Sequence, residues 1–240
     1  MKLTDFAALT FDCYGTLIDW ESGIHAALLP LIAMGNPGLG RDAALEIFAR
    51  HESAQEAETP DMIYSKLLTA VHGRLAAEWG VAPDAAADAT FGASVPNWPA
   101  FPDSAEALAY LKQHYKLVIL SNVDRVSFAG SNKRLGVAFD AICTAQDIGS
   151  YKPSLRNFHY LLEKMAGMGI AKEQILHTAQ SLYHDHAPAQ QIGLARAWID
   201  RRGGAGWGAT KPPPAGVTWD FRFPSLAAFA AAHEAERTAG

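Results

Sequence analysis

The 240-residue chain predicts an α/β protein, a parallel sheet broken after its first strand by a helical insertion. Three observations carry that prediction. Residues 6–11 form an apolar run of strand length that stops at a carboxylate, Asp12. Residues 20–94 then read as helix after helix. Beyond residue 103 the rhythm changes to short apolar runs alternating with helical stretches, the pattern of βαβ units.

The elements follow in order. After the strand at 6–11, Gly15 permits a sharp turn and Thr16 supplies a hydroxyl. A mostly apolar helix spans 20–33 and breaks at Asn36-Pro37-Gly38. Residues 41–57 are rich in good helix formers. Thr59-Pro60 reads as an N-cap followed by proline at the first helical position. Met62, Ile63, Leu67, Leu68, Val71, Leu75 and Trp79 then recur at helical spacing as a buried face closed by Gly80. A shorter helix spans 84–94. Three prolines within 96–102 mark a rigid crossing between modules.

After the crossing come a helix at 103–115, capped by Asp103 or Ser104, and a strand at 116–120. Leu117 to Leu120 are all apolar, as a strand buried on both faces requires. A helix at 126–135, a strand at 139–144, a helix at 153–165, a strand at 175–179, a helix at 187–192 and a strand at 195–199 continue the alternation. Residues 203–217, with Trp207 and Pro-Pro-Pro, form a loop. Ser225 caps a last helix over 225–233.

Composition excludes several classes. Hydrophobic residues are 49%, charged residues 19% and net charge is −5, a globular balance without a basic nucleic-acid footprint. The first residues lack the layout of a signal peptide, and no apolar run reaches membrane-spanning length. Cys13 and Cys143 stand apart without a CxxC, as expected of two thiols in a reducing cytosol. The expectation is a cytoplasmic protein.

The chemistry lies at the strand ends. Strand one ends in Asp12, the strand at 116–120 runs into Ser121-Asn122, Tyr151-Lys152-Pro153 precedes a helix, and Gln180-Ser181 leads to His184-Asp185-His186. A parallel sheet puts all these points on one edge, where they converge. A carboxylate nucleophile must be ionised and aimed. Thr16 and Ser121 can hydrogen-bond it, the Lys152 ammonium favours its charged form, and Asp185 can orient a water or accept its proton. Singly, each residue has an ordinary structural role, such as a helix cap or a surface lysine. The conjunction and order Asp, Ser-Asn, Lys-Pro, Asp carry the inference.

Phe-Asp12-Cys-Tyr-Gly-Thr16, Leu-Ser121-Asn122, Tyr151-Lys152-Pro153 and Asp185 resemble the four motifs of the haloacid dehalogenase superfamily. The resemblance implies a Rossmann-like catalytic core over residues 1–17 and 99–240 and a helical cap over 18–98. Phosphatase members usually carry an aspartate two residues after the nucleophile as general acid; here that residue is Tyr14. They also carry a Gly-Asp pair and a further acid that hold magnesium; here the stretch is Gln180-Ser181-Leu182-Tyr183-His184-Asp185. The Asp-x-Tyr-Gly-Thr form is similar to the L-2-haloacid dehalogenases. A halide leaves as a stable anion and needs no proton, which agrees with the missing acid.

The resemblance implies that Asp12 attacks the halogen-bearing carbon, forms an ester with a small 2-haloacid and is released by water near Asp185. It implies a halide-holding arginine from the cap, with Arg50 first and Arg41 second. Asn122 would donate to the halide, Ser121 would bind the substrate carboxylate, and Tyr14, Trp20 and Trp98, with Ser181 and His184, would line the pocket. No metal or cofactor is expected; in the phosphatase alternative Mg2+ would bind Asp12 and Asp185. Leu182 and His184 depart from the Asn and aromatic residues of the dehalogenase pattern. The apolar cap helices offer a homodimer contact.

Overall fold

In a computed structural model, which describes residues 1–204 and 210–239, six strands form one sheet. They are β1 (Ala8–Phe11), β2 (Lys116–Ser121), β3 (Ala141–Thr144), β4 (Ile175–Ala179), β5 (Ala195–Ile199) and β6 (Phe221–Phe223). Their order is β3-β2-β1-β4-β5-β6, with every pairing parallel. The order reverses at β1, whose Phe11 lies between Ile119 of β2 and Thr178 of β4. Asp12 therefore leaves the sheet at its topological switch point, where open α/β sheets form a crevice.

Four helices follow β1: α1 (Trp20–Gly35), α2 (Arg41–Glu58), α3 (Tyr64–Glu78) and α4 (Ala85–Gly92). The remainder are α5 (Ser104–Leu111), α6 (Arg125–Leu135), α7 (Ala145–Ile148), α8 (Leu155–Gly167), α9 (Ala187–Gln191) and α10 (Leu226–Thr238). A π-helical turn, Leu182–His186, joins β4 to α9. No helix among the described residues is long and apolar enough to cross a membrane.

Alternation along β1 assigns its residues to two apolar layers. Leu9 and Phe11 join α5, α10 and the buried faces of α1 to α4, including Phe48, Leu67 and Leu75, in one continuous cluster. Ala8, Val118 and Leu120 pack on Phe158, Leu161 and Met165 of α8 on the other face. The helical insertion thus shares its core with one face of the sheet. Gly23 of α1 shows how close the fit is, since a Cβ there would lie 2.2 Å from Trp98 Cγ.

Several boundaries differ from the sequence expectation. Thr59-Pro60 does not start α3. Its N–H and hydroxyl both donate to the Gln55 carbonyl (3.0 and 2.9 Å) and so end α2. Asp124, on the sheet side, accepts from Ser65 N at 3.0 Å near the start of α3 and from Ser127 N at 2.8 Å in α6, serving two helix N-termini. The helix expected over 103–115 stops at Leu111, because the turn after it must bring Lys116 beside Ala8. The strands at 6–11 and 139–144 are shorter, and α10 runs past residue 233. Two short elements, β6 and α7, were not expected. Of the expected loop at 203–217, the described residues 203–204 and 210–217 carry no helix or strand, and Trp207 lies outside the described residues.

Candidate active site

Asp12 is fixed from both sides. Its N–H donates to the Thr178 carbonyl of β4 (3.1 Å) and continues the ladder past the end of β1. Gly15, with φ +95°, then turns the chain so tightly that a Cβ there would lie 3.0 Å from Trp20 Nε1. The turn returns Thr16 to Asp12. Thr16 Oγ1 donates to Asp12 Oδ2 at 2.7 Å and accepts from Gln180 N at 2.9 Å, so β4 sets the hydroxyl that sets the carboxylate.

Lys152 is 2% exposed, and its ammonium has three protein acceptors: Asp12 Oδ1 (2.8 Å), Asp185 Oδ1 (2.7 Å) and the Leu120 carbonyl (3.0 Å). Burial disfavours this ammonium, but the two carboxylates outweigh it and raise its pKa. Asn122 holds the lysine's backbone, accepting from Lys152 N (2.7 Å) and donating to Lys152 O (3.1 Å). Its carboxamide therefore positions Lys152. Ser121, at the end of β2, is 1% exposed, and its Oγ has no hydrogen-bond partner among the described residues.

Asp185 comes from the π-helical turn, which Ser181 caps by accepting from His184 N at 3.0 Å. Burial raises the Asp185 pKa, but the Lys152 charge and the His177 hydrogen bond prevail and hold it well below the usual carboxylate range. Burial instead prevails at Asp12: with the Asp185 charge it raises the pKa against the pull of Lys152 and Thr16. One ammonium serves two carboxylates, and the Asp12 carboxylate is the less strongly held of the two. His177, on β4, bridges Thr10 Oγ1 (2.8 Å) and Asp185 (3.1 Å) and was missed because it sits inside an apolar strand. His184 lines the cavity, and burial lowers its pKa to about 4, leaving it neutral at ordinary pH.

The cavity at Asp12 is small, about 80 Å³, and Tyr14, Trp20, Asn122, Ser181 and Asp185 are among its walls. Tyr14 turns its hydroxyl to Ser131 Oγ (2.9 Å) and its ring edge to Trp98, 5.7 Å between centroids. Trp98 therefore supports Tyr14 from behind and is not among the residues lining the cavity.

Arg50 does not reach Asp12. It is exposed and paired with Glu78 of α3 at 2.8 Å, beside an outer cavity of about 660 Å³. Its place on α2 faces it across to α3, where Glu78 is the nearer anion. Arg41 donates to Ser22 Oγ at 3.2 Å and lines a neighbouring cavity with Gly15 and Trp20. Among the described residues no arginine lines the Asp12 cavity. The cap contributes Glu52 and Glu56 instead, with Tyr64 OH donating to Glu52 at 2.5 Å. Four residues apart, they lie on the side of α2 that also carries Leu45 and Phe48, so helical periodicity gave no signal that they line the cavity.

Among the described residues no group of three or more His, Cys, Asp or Glu side chains is arranged to hold a metal ion. Both oxygens of Asp12 and one of Asp185 are engaged by Lys152, Thr16 and His177, and Tyr14 stands where a second acid would be. Of the four carboxylate oxygens of Asp12 and Asp185, Asp185 Oδ2 is the one without a partner among the described residues.

The chain matches the haloacid dehalogenase-like hydrolases over residues 6–178 and belongs to that family. Among curated proteins it is 27% identical to an (S)-2-haloacid dehalogenase of Pseudomonas putida over 85% of this chain and 88% of the relative. The fold is similar to an L-2-haloacid dehalogenase from Xanthobacter autotrophicus, with TM-score 0.76, 18% identity and coverage of 94% of this chain and 97% of that one. It is also similar to a magnesium-bound HAD hydrolase described as putative, from Bacillus subtilis, with TM-score 0.75, 18% identity and coverage of 95% and 99%. These structural likenesses establish a common fold.

Proposed function

We propose that the protein hydrolyses the carbon–halogen bond of small 2-haloacids through an aspartyl ester on Asp12. The observation that carries this reading is the turn itself. It offers a buried carboxylate oriented by Thr16 and Lys152, and two residues on, where protonation of an alkoxide leaving group would need an acid, it offers Tyr14, whose hydroxyl is turned to Ser131. The likeness to named haloacid dehalogenases supports the same reading.

An Asp12 oxygen attacks the halogen-bearing carbon, and halide leaves with the bonding electrons. The unpartnered Ser121 Oγ is available to the substrate carboxylate. Water, oriented by Asp185 Oδ2, which has no partner among the described residues, then attacks the ester carbonyl; the acyl–oxygen bond breaks, one water proton passes to the departing alkoxide to give the hydroxyacid, and the other is released to solvent as Asp12 returns to its carboxylate. Lys152 balances the carboxylates throughout. No metal or cofactor is part of this proposal.

Halide release from a panel of 2-chloro- and 2-bromoacids, with and without chelator, tests it. Chelator-insensitive release that disappears in Asp12→Asn is expected. Chelator-sensitive cleavage of phosphate esters with no halide release would replace it by the phosphatase reading. A reducing compartment belongs to the same proposal, supported by the free, buried Cys13 and Cys143. So does a homodimer through the cap, supported by exposed Leu29 and Met34 on α1, with sedimentation as its test.

A further inference from the structure

His177 is a buried titratable side chain beside the site that the steps above leave unused. It stands in the middle of β4, 0% exposed, on a strand where a branched aliphatic residue would pack as well. The sheet register pairs it with Thr10 of β1, also 0% exposed. Its ring lies edge-on to Phe158 of α8, with 5.4 Å between centroids. Polar side chains set in an apolar layer are costly unless each finds a partner. Nδ1 meets Thr10 Oγ1 at 2.8 Å, which leaves Nε2 to reach Asp185 Oδ1 at 3.1 Å. Opposite a carboxylate that stays ionised, Nε2 carries the hydrogen and donates.

Asp185 Oδ1 thus takes two donors, Lys152 Nζ and His177 Nε2, while Oδ2 takes none among the described residues. Two donors on one oxygen fix the carboxylate and aim the other oxygen. The two are not equivalent. Lys152 is shared with Asp12, so its hold on Asp185 changes when the Asp12 charge is lost in the ester. The other partner of His177 is Thr10, inside the sheet, and nothing in the reaction alters it. Asp12 itself is held by Thr16, Lys152 and the Thr178 carbonyl, a set that does not include His177.

We infer that His177 is a positioning residue for the second half of the reaction: it holds Asp185 Oδ1 so that Oδ2 stays turned to the hydrolytic water after Asp12 has become an ester. This inference rests on the dehalogenase reading and adds to it a residue that acts on ester hydrolysis and not on halide release.

Rapid-quench turnover of 2-chloropropanoate separates the two steps, with halide reporting the attack and intact-protein mass reporting the ester. His177→Phe keeps a ring against Phe158 and removes the donor. Its first-turnover halide release is expected to persist, while ester hydrolysis slows by about tenfold or more, the worth of a hydrogen bond to a charged acceptor, and the ester accumulates on the protein. His177→Asn, whose shorter amide can serve Thr10 but stops short of Asp185, is expected to show the same partition and replaces the phenylalanine variant should that one not fold. His177→Gln reaches Asp185 with an N–H and is expected to restore most of the lost rate. Unchanged ester hydrolysis, an equal slowing of both steps, or a glutamine variant as slow as the other two overturns the inference. If the wild type releases no halide, the dehalogenase reading falls instead, and 15N NMR of the imidazole decides the contact. A protonated Nε2 whose signal moves in Asp185→Asn supports the orienting role; an Nε2 without a proton rejects it.

Discussion

Lys152 and the two acids it joins decide most of what happens at the level of single residues. The ammonium is buried between Asp12 and Asp185, so removing it leaves two carboxylates without compensation. Lys152→Ala is expected to lower stability by about 3 kcal/mol or more in urea unfolding as well as to stop turnover. Asp12 must be ionised to attack, and burial places its pKa above the ordinary aspartate value. As pH falls through that raised pKa the nucleophile is protonated. The acid limb of kcat/KM is therefore expected above the usual aspartate range, and a limb at or below it would show that Lys152 dominates. Glu52 gives a stability effect of defined sign. Its folded pKa, about 7, exceeds its unfolded value, so the folded state holds the extra proton and stability declines as pH rises between the two. Thermal melts of Glu52→Gln should show a shallower decline over that window than the wild type. Asp12, Ser121, Lys152 and Asp185 could be identified from sequence because parallel strands deliver their ends to one edge. Glu52 and Glu56 could not, because the inner face of a cap helix depends on how the cap rests on the sheet.

Elements are joined here by side chains that serve two at once. Asp124 accepts from Ser127 N and Oγ in α6 and from Ser65 N in α3, and it is 3% exposed. Asp124→Ala is expected to cost about 2 kcal/mol, more than a single surface cap, because two helix starts lose an acceptor inside the protein. Urea midpoints would check this; a loss no larger than that of Asp84→Ala, which caps α4 alone, would contradict it. The Thr59-Pro60 misreading belongs to the same scale. Threonine followed by proline is a good local start signal, yet Thr59 spends its donors on Gln55 at the end of α2. The three-residue β6 escaped notice because Phe-Arg-Phe is too short for a period, and only its pairing with β5 defines it.

Across the whole molecule, the apolar cluster that runs from Phe48 and Leu75 in the helical insertion to Leu9, Phe11 and Ile119 in the sheet ties the two together. Unfolding should therefore be one cooperative event, with coincident transitions by far-ultraviolet circular dichroism and tryptophan fluorescence. A separate early loss of helix would show an insertion that melts by itself. The sequence by itself determined the α/β alternation, the helical insertion and the four motif positions, since periodicity and strand-end chemistry are local properties. Only the tertiary structure decided that Arg50 pairs with Glu78, that Trp98 stands behind Tyr14, and that two glutamates line the cavity at Asp12. Which way a cap helix turns its charged residues is settled by packing across the insertion and the sheet, and no single stretch of chain contains that information.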